Sequence, residues 1–182
     1  MAGQGSAVAA RTGDNLFLRG VAALSTLAGW CSAAMIVAAV GITCQMIFVR
    51  FALNGSTVWQ TEAVIYLAIA STLVGLPYVQ RLRGHVNVDL IPLMLPQKAR
   101  YYMCLLTLTL SIAMVAILFW YGYEHWHLTY ERNWKSDTLW GVRLWIPYLA
   151  LPVGFGLFLL QLIADLVAVV LKIDKPFGLE DV

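Results

Sequence analysis

The stretch Gly20–Val49, GVAALSTLAGWCSAAMIVAAVGITCQMIFV, contains no charged side chain. As a helix rising ~1.5 Å per residue it would measure about 45 Å, against a hydrocarbon layer of about 30 Å. It is also too long for the apolar region of a signal peptide, about 7–15 residues, although Arg11 and Arg19 precede it. The stretch therefore reads as a retained membrane-spanning helix that must tilt or extend beyond the headgroups.

The rest of the chain belongs to the same class. Of its 182 residues, 60% are hydrophobic and 12% charged, where a soluble domain carries about a quarter charged. Three further spans are expected at 58–79, 101–128 and 144–171. The second enters through Trp59 and Glu62 and is expected to end near Gly75-Leu76-Pro77. The fourth carries Pro147 and Pro152 near its start, where missing N–H groups cost little. Residues 86–97, VNVDLIPLMLPQ, are too short to cross. They read as an interfacial helix on the membrane surface, with an ordinary apolar loop as the alternative. Residues 1–15, beginning MAGQGSAVAA, are expected to be disordered, 16–176 to form the four-helix domain, and 177–182 a cytoplasmic tail.

Lysines and arginines in the connecting segments set the orientation. One side collects Arg11, Arg19, Arg81, Arg83, Lys98, Arg100, Lys172 and Lys175; the other collects Arg50, Arg132, Lys135 and Arg143. This distribution predicts an all-α integral membrane protein with both termini inside.

Composition and pattern also exclude functions. The net charge of +2, without a basic cluster, leaves no footprint for nucleic acid. Cys31, Cys44 and Cys104 lie in apolar runs without CxxC spacing, so neither a disulfide framework nor a zinc site is expected. Glu124-x-x-His127 could present two metal ligands, but no second such motif exists, and His125 and His127 face apart on a helix. Neither metal nor cofactor is expected on this chain, and no catalytic motif marks it as an enzyme. Glu62, Glu124 and Asp165 sit near span ends rather than at mid-span, where an ion path would need them. There are no matched, interrupted spans of the kind seen in inverted-repeat transporters. The chain therefore reads as a partner for other proteins.

Two features fit partnership. Gly29-x-x-x-Ala33 in the first span has the spacing that allows close helix approach. Trp59, Trp120, Trp126, Trp134, Trp140 and Trp145 all fall toward the predicted outer side, either as an interfacial belt or as a docking surface.

Trp59-Gln-Thr-Glu62, then Gly75, then Arg81-x-Arg83-Gly84-His85-Val-x-Val-Asp89, then Leu95-Pro96 together resemble the small membrane subunit of tripartite ATP-independent periplasmic transporters. So do Ser136-Asp-Thr-Leu139, Trp145-x-x-Tyr148 and Leu151-Pro152-Val-Gly154-Phe155. Pro77 and Gln80 depart from the pattern. The resemblance covers about Leu16 to Lys172. It implies a bacterial inner-membrane scaffold for a large permease subunit that holds the substrate and sodium sites, in a system importing an organic acid captured by a periplasmic binding protein. Trp59, Glu62, Gly75, Arg81, Arg83, Gly84, His85, Asp89, Pro96, Trp145, Pro152 and Gly154 would then form the structural signature and large-subunit interface. Arg50, Asn54, Arg132, Lys135, Asp137 and Arg143 would dock the binding protein. Competing readings are a stand-alone dimeric exporter coupled through Glu62, and a haem or quinone membrane anchor. The transported substrate is not legible, because the selecting residues belong to other chains.

Overall fold

The computed structural model describes residues 16–82 and 96–171. Helix α1 spans Leu16–Ala52, α2 Trp59–Arg81, α3 Gln97–Glu131, α4 Trp145–Tyr148 and α5 Ala150–Val170. Among the described residues, four segments are long and apolar enough to cross a membrane: α1, α2, α3 from Lys98 onward, and the combined α4–α5 unit, Trp145–Val170. The chain is thus an all-α protein with four candidate spans. The expected interfacial helix at 86–97 falls almost wholly outside the described residues, as do residues 1–15 and the tail.

Helix α5 is the hub: it packs against α1, α2 and α3, while α1 lies mainly along α2. The close approaches follow from small residues. A Cβ built on Gly29 would lie 2.5 Å from the Tyr78 ring, and one on Gly75 would lie 2.8 Å from Ser32 Oγ. The Ser32 hydroxyl also donates to the Ser71 carbonyl at 2.7 Å. At Gly154 the approach is backbone to backbone, a Cβ there meeting the Leu73 carbonyl carbon and oxygen at 2.8 Å. In a bilayer, where helices gain little from hiding apolar surface, such contacts are a main source of association.

The second span does not end near Pro77: α2 continues through it to Arg81. A proline removes one bond, here to the Leu73 carbonyl. Ending the helix would leave more backbone groups unmet in lipid, so continuation costs less. Pro77 is fully buried, and Gly154 packs against the same turn. Proline has a visible effect in the fourth span instead. Pro152 leaves the Tyr148 carbonyl without its helical donor, and the span divides there into α4 and α5.

Helices α1 and α3, of 37 and 35 residues, measure about 55 and 52 Å. Even a tilt of ~40°, the upper end of what spanning helices show, would leave part of each beyond a ~30 Å hydrocarbon layer.

Candidate functional site

Polar groups gather at the two ends of the bundle. At the end holding Arg81, three helices are tied together. Ser25 on α1 donates to Gln161 Oε1 on α5 at 2.6 Å, and both residues are buried. Gln161 Nε2 donates to Asp165 Oδ1 at 2.8 Å. Gln80 on α2 reaches the other carboxylate oxygen at 3.0 Å. Arg81 donates through Nη1 to the Ala22 carbonyl at 2.7 Å and to the Thr26 hydroxyl. Beside this network lies a small apolar core of Leu18, Val21, Ala164 and Ala168. Buried polar groups must find partners in a low-dielectric interior, and here they find them across helices. Arg81 and Gln80 thus serve contacts within the chain. Arg83, Gly84, His85 and Asp89 lie outside the described residues.

The opposite end is built from the α1–α2 loop and the hairpin joining α3 to α4. Asn54 adopts a left-handed φ of 48° and ends α1, with the Gly55 N–H donating to the Val49 carbonyl at 3.1 Å. Asn133, φ 50°, ends α3: Asn133 N–H donates to the Tyr130 carbonyl and Trp134 N–H to that of Thr129, the pattern of a Schellman cap. Beyond it, Ser136 N–H donates to the Val142 carbonyl at 2.9 Å and Leu144 N–H to that of Trp134 at 2.9 Å. These bonds set Lys135 directly opposite Arg143 in an antiparallel bridge. The turn closes by Gly141 N–H on the Thr138 carbonyl at 3.0 Å, with Gly141 at φ 57°. Leu139, in the turn, is 92% exposed.

The hairpin is fixed to the helices at three points. Ser136 Oγ donates to Glu62 Oε1, in the first turn of α2, at 2.6 Å. Trp59 and Trp140 meet with ring centroids 6.1 Å apart. Trp126 Nε1 donates to the Trp145 carbonyl at 3.1 Å, and Tyr130 meets the Trp145 ring edge-on at 5.7 Å. Through Trp59, the first residue of α2, the hairpin is held at the same end of the bundle as the α1–α2 loop. The cations at this end are Arg50, whose Nε donates to Thr57 Oγ1 at 2.6 Å; Arg132, 5.7 Å above the Trp134 ring; Lys135; and Arg143. Asp137 is exposed on the same hairpin.

The sequence-predicted residues thus divide. Trp59, Glu62, Trp145, Arg50, Asn54, Arg132, Lys135, Asp137 and Arg143 share the hairpin end. Gly75 and Gly154 mark helix crossings, and Pro152 marks the α4–α5 division. Pro96 is the extended residue that opens α3, and Arg81 belongs to the far network. Sequence reasoning missed Ser25 and Gln161, which bond to one another across 136 residues, and it named Ser136 in a motif without its tie to Glu62, 74 residues away. The signal available was their polarity within or beside apolar spans.

A bundle of four candidate spans, tied by polar groups at both ends and capped by a cationic hairpin, defines a small multi-pass membrane protein. The model of the family described as tripartite ATP-independent periplasmic transporters, DctQ component, matches residues 39–172. The chain belongs to that family, and is a small membrane subunit of such a transporter in the bacterial inner membrane. It is similar to the C4-dicarboxylate TRAP transporter small permease protein DctQ of Vibrio cholerae serotype O1, 23% identical over 137 residues. The alignment takes in 64% of this chain and 59% of that relative.

Proposed function

We propose that the chain is a non-catalytic scaffold subunit, carrying neither cofactor nor ion site of its own. It braces a large permease subunit that holds the substrate and sodium sites, and it presents the hairpin end to a periplasmic binding protein. The system imports an organic acid; the relative's name points to dicarboxylates. Both termini lie in the cytoplasm, as the lysine and arginine distribution favours, so the hairpin faces the periplasm.

The observation carrying this reading is the Lys135–Arg143 pair. Like charges directly opposite on an antiparallel pair destabilise it, and neither side chain has an ion-pair partner among the described residues. An acidic partner face removes that cost and speeds encounter. The carboxyl groups near the span ends support the scaffold reading as well, because Glu62 and Asp165 are engaged in ties within the chain.

The test is to purify the chain with the large subunit and titrate the binding protein of the same system. The double variant Lys135→Glu, Arg143→Glu is expected to weaken binding about tenfold or more, ~1.4 kcal/mol, and to flatten its salt dependence. A stable, monodisperse chain that binds no large subunit would overturn the scaffold reading. Unchanged binding by the double variant would overturn the docking surface.

A further inference from the structure

We propose that Glu62 is the positioning residue of the periplasmic hairpin, acting through Ser136 rather than by touching a partner. This rests on the docking reading above and adds to it the residue that sets the geometry of the docking surface.

The hairpin is short, and its own backbone bonds join only Trp134–Ser136 to Val142–Leu144. Nothing in those bonds fixes its angle to the membrane helices. Glu62 does, together with the Trp59–Trp140 contact: its Oε1 accepts the Ser136 hydroxyl at 2.6 Å, a short O–H···O bond. Ser136 lies beside Lys135, one half of the cation pair, and its Oγ is 3.2 Å from Thr138 Oγ1 at the start of the turn. One hydroxyl thus relates the cations, the Leu139 tip and the first turn of α2. Tyr66, one helical turn beyond Glu62, faces the same serine and carboxyl. The second carboxyl oxygen, Oε2, is buried without a hydrogen-bond partner, so it has no surface of its own to offer a docking protein.

Three single variants test this, each in the purified two-subunit complex. Ser136→Ala removes the donor; Glu62→Leu removes the acceptor; Glu62→Gln keeps a carbonyl oxygen that can still accept. The readouts are the dissociation constant of the binding protein and the melting temperature of the complex. Ser136→Ala and Glu62→Leu are expected to weaken binding about fivefold to tenfold, with the melting temperature changed by no more than a few degrees. Glu62→Gln is expected to bind within about twofold of the parent. Parent-like binding by all three would overturn the proposal. So would a Gln variant as weak as Leu, because the charge itself would then matter, or loss of the large subunit from the complex, because Glu62 would then be an interface residue. If the Lys135→Glu, Arg143→Glu variant also binds normally, the docking reading itself falls. If that variant is impaired and the latch variants are not, only the positioning role of Glu62 falls.

Discussion

At the scale of single residues, the glycines separate into two kinds that sequence alone leaves alike. Gly154 meets the Leu73 backbone, whereas Gly41, on α1, has no atom within 4 Å of where a Cβ would stand. Gly154→Val therefore forces α2 and α5 apart and should destabilise the chain by about 1–3 kcal/mol. Gly41→Ala should be neutral within the isolated chain, or stabilising by up to about 1 kcal/mol through helix propensity. Unfolding of the purified chain in detergent micelles distinguishes the two. Gly75 and Gly154 were legible as members of a recognisable pattern, and Gly29 by its spacing to Ala33. The atoms each would meet were not legible, because a helix crossing is decided by the partner's shape as much as by the glycine.

At the scale of elements, the number of spans was readable from long apolar runs with charge confined to their ends. The ends were less so: α2 passes the proline at which it was expected to finish, because unmet backbone groups are costlier in lipid than a single lost bond. The three-helix polar network was invisible for a different reason. Ser25, Gln80 and the Gln161–Asp165 pair lie far apart in the sequence, in or at the ends of apolar runs, and only packing brings them together. A double-mutant cycle on Ser25→Ala and Gln161→Leu should give a coupling of about 0.6 kcal/mol and no more than ~1.7 kcal/mol. The value stays small because the membrane-inserted unfolded chain finds other partners. Unfolding of single and double variants in micelles measures it. The aromatic excess toward the hairpin was visible as a bias. Trp59, Trp126, Trp140 and Trp145 turn out to tie the hairpin to α2 and α3 to α4, which a simple belt of rings at the headgroup level does not require. Trp30 stands apart, 74% exposed on the flank of α1.

At the scale of the whole molecule, the family places the chain among transporter components, and the structure assigns its two ends different work. The Arg81 end binds α1, α2 and α5 to one another. The hairpin end ties the hairpin to α2 and leaves cations and Leu139 uncovered. The stand-alone exporter reading fits this poorly, since Glu62 is held by a serine at one end of the bundle rather than free along a path. Uptake by the complete system in vesicles should fall strongly when this chain is omitted, and the chain alone should carry no substrate. Function was legible in the sequence only through family resemblance and through the absence of mid-span charge. The hairpin geometry was not, because it depends on cross-strand pairing between Lys135 and Arg143, eight residues apart in the sequence.

The central position of α5 has a consequence for how the protein is made. Helices α1 and α2 can pair as soon as both have left the ribosome and entered the bilayer, their glycine crossings complete. Helix α3 meets its main neighbour only when the last span arrives. Until then its glycine face at Gly122 and the indole N–H of Trp126 lack the Leu151, Phe155 and Trp145 groups they meet in the finished chain. A chain truncated after Leu82 should therefore outlive one truncated after Tyr130 in a pulse-chase experiment in cells. The interval between the third helix and the last is therefore where the unfinished chain is expected to be most open to degradation.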